Sequence, residues 1–234
     1  MSALAALLFA GKFGKLLFSG GTMVLSVFAY ALVFGWPYAA GFVALLFVHE
    51  MGHFLAARRR SLEVGLPTFI PFVGAWIELK EQPMDAETEA FVGIAGPMLG
   101  SAAAFLCYIA ARESGSLLLM ALAYAGFVLN LFNLIPLSPL DGGRIVSVVS
   151  PRLWFWGVPI LVALFFWIPS PMLVLIAVLA LPQLWKAFQD RSIADSAYYR
   201  VAPAVRLEYG VQYVALAGFL AIMAFVAHEA LPPR

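Results

Sequence analysis

The sequence predicts an all-α polytopic membrane protein of about six or seven transmembrane helices, with a small interfacial β-hairpin. Three observations predict it. Of 234 residues, 63% are hydrophobic and only 12% are charged, about half the charge of an ordinary soluble domain. Mean hydropathy is +0.93. The apolar residues fall in long runs without a heptad or triplet period, which excludes disorder, collagen and coiled coil. A net charge of +1 offers no basic face, so no nucleic-acid partner is expected. The single cysteine, Cys107, excludes a disulfide framework and a Cys-based zinc cluster.

A span needs about 17 to 25 apolar residues to cross the hydrocarbon. Apolar runs of roughly that size lie near Thr22–Trp36, Tyr38–Ala57, Thr88–Ala111, Ser116–Ile135, Leu153–Ile168, Pro171–Lys186 and Val211–His228. The fifth and sixth are short and carry Pro159 and Pro182, so they read either as two spans or as one re-entrant hairpin. Residues 1–20, with Lys12 and Lys15, read as an interfacial amphipathic segment rather than a signal peptide. Residues 21–150 then form a core of four spans, and residues 151–234 supply additional C-terminal spans.

Basic residues are retained on the cytoplasmic side. With the N-terminus cytoplasmic, twelve of the fourteen fall on that side, among them Arg58, Arg59, Arg60, Lys80, Arg144 and Arg206, and only Arg112 and Arg234 fall on the other. Between the second and third spans, Leu66–Lys80 is rich in aromatic and β-branched residues and is punctuated by Pro67, Pro71 and Gly74. That pattern suggests a short hairpin within 62–80 at the interface. Its edge could receive an extended peptide by strand addition, or the hairpin could be an interfacial anchor held by Phe72 and Trp76. Gly96 and Gly100 on the third span are a G-x-x-x-G pair, read as a site of close helix packing within the bundle.

The chemistry concentrates at His49-Glu50-Met51-Gly52-His53 on the second span. A spacing of four puts both imidazoles on one helical face, where they can share a metal. Zinc suits neutral imidazole and, in catalytic sites, keeps one position for water. Glu50 is placed to take a proton and later return it. A histidine in an apolar helix is ordinarily a hydrogen-bonded core residue. Three ionisable groups in five intramembrane residues are expensive, however, and call for a partner such as a metal.

A third ligand is sought in Asn133-Leu-Ile-Pro136-Leu-Ser-Pro139-Leu-Asp141-Gly142-Gly143. Two prolines and two glycines cannot continue a helix. Unwound backbone there either aims the Asp141 carboxylate into the bundle or ends the fourth span in a turn, with Asp141 capping a short helix from Gly142 to Val149. The residues alone leave both readings open.

H-E-x-x-H on one span, followed about ninety residues later by N-x-x-P-x-x-x-L-D-G-G, resembles the site-2 protease family of intramembrane zinc metalloproteases. The match is tight over Phe47–Ala57 and Asn133–Arg144, and Gly93-Ile-Ala-Gly96-Pro97 is similar to the small-residue motif on the family's intervening helix. The resemblance implies one Zn²⁺ held by His49, His53 and Asp141, with Glu50 as the catalytic acid–base. It also implies that Asn133 positions substrate or stabilises the oxyanion. It implies peptide-bond hydrolysis in transmembrane protein substrates near the cytoplasmic leaflet, in a multi-pass protein of the bacterial inner (cell) membrane. Without a PDZ or regulatory module, a minimal member is expected, its partners being its substrates, the bilayer and any regulatory membrane protein. The rival functions are a catalytically inactive membrane scaffold and a metal transporter using the same residues.

Overall fold

The computed structural model describes residues 3–80, 83–190, 193 and 196–232, with side chains from residue 14 onward. Eight α-helices and one two-stranded antiparallel sheet follow in chain order. α1 (Ala3–Phe34) is one uninterrupted helix of 32 residues. The interfacial segment expected over residues 1–20 is therefore continuous, from Ala3 on, with the span expected from Thr22, and Gly14–Phe34 is apolar enough to cross a membrane. The side chain of Lys12, with Arg191 and Arg234, lies outside the described residues. Gly35, at φ 83°, allows the reversal into α2 (Trp36–Arg59), a backbone conformation that side-chain-bearing residues resist.

The hairpin follows, with β1 (Thr68–Ile70) paired to β2 (Gly74–Trp76) in the register Thr68↔Trp76, Phe69↔Ala75 and Ile70↔Gly74. α3 (Ala86–Ser114) starts at Asp85, whose carboxylate accepts from Thr88 N at 2.7 Å, and carries Glu87 and Glu89 in its first turn. That is the charge a helix N-terminus favours. Gly115, at φ 69°, ends it. α4 (Leu117–Asn133) leads through the bend at 134–140 into α5 (Asp141–Val149). A 3₁₀ turn (Pro151–Trp156) precedes α6 (Gly157–Trp167), then come α7 (Pro171–Gln189) and α8 (Pro203–Glu229).

Among the described residues, five helices are long and apolar enough to cross a membrane: α1, α2, α3, α7 and α8. α4, at 17 residues, and the Pro151–Trp167 segment are shorter. α6 alone has 11 residues, about 16 Å of helix at 1.5 Å per residue, roughly half the hydrocarbon thickness. The fifth run begins as a 3₁₀ turn because Ser150 caps Pro151–Trp156, its side chain accepting from Arg152 N.

α2, α3 and α4 form the centre, with α1 against α2, α5 against α3, and α8 against α4 and α5. The largest core joins Ile94, Phe127, Ile145 and Leu220 from α3, α4, α5 and α8. A second core packs α6 and α7 on the bend through Leu137, Leu140, Leu161 and Ile176. A third holds the hairpin, with Phe69 seated among Tyr30, Val43 and Leu46. The hairpin also hydrogen-bonds to α1: Phe69 N donates to Thr22 Oγ1, Phe72 N to Tyr30 Oη, and Ser19 Oγ to Pro67 O.

Candidate metal centre

The second span carries its chemistry where α2 and α3 approach most closely. A Cβ on Gly52 would lie 2.3 Å from Ala95 O. A small residue at that position lets the two backbones touch. His49 and His53, one turn apart on α2, are 3% and 6% exposed. Each ring spends Nδ1 on an oxygen: His53 Nδ1 donates to Val92 O at 2.7 Å, and His49 Nδ1 to Asn130 Oδ1 at 2.8 Å.

Asp141 enters from the bend. It is the first residue of α5, whose N-cap is Leu140 without a side-chain cap bond, so the short helix exists but Asp141 does not cap it, and its carboxylate reaches the bundle interior instead. Gly142 and Gly143 let the start of α5 lie directly on the bend. A Cβ at 142 would fall 2.1 Å from Leu134 O, and one at 143 would fall 2.5 Å from Ser138 N. The polar backbone of the bend is satisfied from later helices, as buried backbone requires. Ser138 N donates to Gln183 Oε1 of α7 at 3.1 Å, Tyr213 Oη of α8 donates to Leu134 O, and Trp154 Nε1 donates to Gly143 O at 2.7 Å. The C-terminal helices thus hold the segment that presents Asp141.

Asp141 Oδ2 lies 3.2 Å from both His49 Nε2 and His53 Nε2, which are 3.1 Å from each other. Among the described residues these three form the group able to hold a metal ion. The chemistry of the donors supports a cation. With both Nδ1 atoms donating to oxygen, the two Nε2 atoms converge on a carboxylate oxygen, and in the neutral rings each offers a lone pair. The spacing also fits zinc, since bonds of about 2.0–2.1 Å in a tetrahedral site put ligand atoms roughly 3.3 Å apart.

Glu50, 5% exposed, stands outside the cluster of three but lines the same cavity of about 590 Å³, together with Asn133, Arg144 and the β2 residues Gly74, Ala75 and Trp76. Asn133 is half-buried at the end of α4. Arg144 Nε lies 3.7 Å from Glu89 Oε1, and Tyr198 Oη donates to Glu89 Oε2 at 2.7 Å. Burial, then the Glu89 carboxylate, push the Tyr198 phenol well above its ordinary pKa and that of Tyr199 to about 12. Both therefore remain neutral hydrogen-bonding groups at ordinary pH.

Sequence reasoning assigned no role to Asn130, which is 1% exposed. The available signal was a second amide, one turn before Asn133 within an apolar span, which must find a partner across the bundle.

Residues 37–116 match the model of peptidase family M50. A zinc metalloprotease of Methanocaldococcus jannaschii is 30% identical over 117 residues, 46% of this chain and 34% of the relative. The chloroplastic protein EGY1 of Arabidopsis thaliana, also described as a zinc metalloprotease, is 29% identical over 158 residues, 47% of this chain and 29% of the relative. The chain therefore spans about a third of the length of these relatives. A solved site-2 protease from Methanocaldococcus jannaschii aligns with a TM-score of 0.46 and 22% identity, over 77% of this chain and 87% of that one. In the matched segment, the chain is thus similar to peptidase family M50 and to these zinc metalloproteases.

Proposed function

We propose that the chain is an intramembrane zinc metalloprotease that hydrolyses peptide bonds of transmembrane protein substrates near the cytoplasmic leaflet. The observation that carries this reading is the meeting of His49, His53 and Asp141 within 3.2 Å beside a cavity that also holds Glu50. The three residues are the zinc ligands. Zinc bound there supplies a Lewis acid that acidifies water and polarises a carbonyl. Glu50, buried in the cavity wall, takes up the proton of the attacking water and delivers it to the leaving amine. Asn133, at the cavity edge, donates to the substrate backbone or to the developing oxyanion. A buried glutamate beside an already complete ligand set favours a catalytic site over a structural one.

The orientation belongs to the same proposal, with Arg58, Arg59 and Lys80 on the cytoplasmic side. His53 and His49 precede Arg58 by five and nine residues on α2, which sets the site roughly 7–14 Å inside that surface. Residues 21–150 carry the catalytic core, and the later helices brace the bend.

Hairpin geometry supports a way of holding the substrate. Phe69 spends its N–H on Thr22 of α1, so Phe69 and Ala75 form a pair without mutual hydrogen bonds, and the N–H and C=O of Ala75 face away from β1. β2 lines the cavity. An unwound substrate added along that edge would present its peptide bond in the extended form hydrolysis needs.

The test is cleavage of a single-span substrate by purified protein in detergent. Glu50→Ala keeps zinc and loses cleavage, whereas Asp141→Ala loses zinc affinity as well. Zinc movement across vesicles by the wild type, with no cleavage by any form, would overturn the reading.

A further inference from the structure

Asn130 stands on α4, one turn before Asn133, with its side chain enclosed. Its amide nitrogen donates to Gly126 O at 2.7 Å, one turn back on its own helix. Its other face is closed by Gly100 of α3, where a Cβ would lie 2.4 Å from Asn130 Oδ1 and 2.9 Å from Nδ2. The bond to Gly126 O decides which way the amide points. Turned over, it would set Oδ1 against the Gly126 carbonyl, two acceptors facing each other with no proton between them.

Oδ1 is therefore the atom presented to His49 Nδ1, at 2.8 Å. An amide oxygen only accepts, so Nδ1 must carry a proton, and in the neutral ring that a metal requires Nε2 carries the lone pair. Nε2 is the atom that lies 3.2 Å from Asp141 Oδ2 and 3.1 Å from His53 Nε2. His53 reaches the same state by another route, through the backbone carbonyl of Val92. Only the His49 half of the pair depends on a side chain that substitution can remove.

We propose that Asn130 is a positioning residue of the metal centre, which locks His49 in its Nδ1–H tautomer and aims its Nε2 lone pair at the ion. The proposal rests on the reading of His49, His53 and Asp141 as zinc ligands. Partners on the far nitrogen of a ligating histidine fix ring orientation, and their loss commonly costs 10- to 100-fold in metal affinity. A neutral amide does this without adding a negative charge beside the ligand set.

The experiment is zinc affinity of the full chain in detergent, measured by chelator competition for wild type, Asn130→Leu and Asn130→Asp. Cobalt-substituted spectra of the same proteins are recorded alongside. Asn130→Leu is expected to lose 10- to 100-fold in affinity with altered cobalt bands. Asn130→Asp keeps an acceptor for Nδ1 but sets an oxygen against Gly126 O, so it is expected to recover only part of that loss, which a purely space-filling role would not produce. In zinc-loaded wild-type protein, ¹⁵N imidazole shifts are expected to show Nδ1 of His49 protonated and Nε2 bound to the metal. That measurement needs no variant to fold. Wild-type affinity in Asn130→Leu, or a His49 Nδ1 without a proton, would overturn the inference while leaving the zinc site standing. A wild type that binds no zinc would overturn the zinc site and this inference together.

Discussion

Gly96 of α3 lies against the ring of His53 of α2 so closely that a Cβ there would fall 2.2 Å from Nε2, the atom aimed at Asp141. The contact joins packing to chemistry, because the glycine that lets the helices approach also leaves room for a ligand. Gly96→Ala is expected to push the ring from its place and lower zinc affinity at least about tenfold. The helix itself gains slightly from alanine, by up to about 1 kcal/mol, so helical content measured by circular dichroism should hold. Wild-type zinc affinity in this variant would show that the ring has room to move.

Removing zinc should leave two imidazole lone pairs and a carboxylate facing one another, all buried. A ligand that binds only the folded state stabilises it by about 2.7 kcal/mol at one hundred times its dissociation constant. A strong chelator is therefore expected to lower the thermal midpoint, and added zinc to restore it. The same treatment of Asp141→Ala should produce little shift. A midpoint indifferent to chelation in the wild type would count against a metal held by these three residues.

Sidedness can be read with cysteines, once Cys107 is replaced by serine. Ser61 follows α2 and Ser114 ends α3, and both are exposed. A membrane-impermeant thiol reagent applied from the cytoplasmic face is expected to label Ser61→Cys and spare Ser114→Cys. Equal labelling of both from one face would overturn the orientation drawn from the basic residues.

The ligands could be read from sequence because their spacing is itself a geometric statement: four residues on a helix place His49 and His53 one turn apart whatever surrounds them. Asp141 was half readable. Proline and glycine announce an unwound bend, but whether its carboxylate reaches the bundle depends on Gln183 and Tyr213, which hold the bend from helices far along the chain. Asn130 stayed hidden because its value lies wholly in contacts with α2 and α3, which no local pattern encodes. The continuity of α1 and the 3₁₀ start of the fifth run escaped as well. Apolar content marks what lipid will accept, whereas caps and turns such as Ser150 decide where a helix begins.

The edge of β2 offers the most direct test of how substrate is held. Proline at position 75 would remove one N–H that faces away from β1, and an edge strand tolerates proline where its N–H points outward. The hairpin should therefore survive, still anchored by Thr22 and Tyr30, and the zinc ligands on α2 and α5 are untouched. If substrate adds along this edge, Ala75→Pro loses one main-chain hydrogen bond, about 0.5–1.5 kcal/mol. That corresponds to roughly a 2- to 12-fold fall in kcat/KM, with zinc content unchanged. Ala75→Gly keeps the N–H and should cleave close to the wild-type rate. Equal kcat/KM for wild type and Ala75→Pro would remove β2 as the docking strand and leave the hairpin as an anchor for α1.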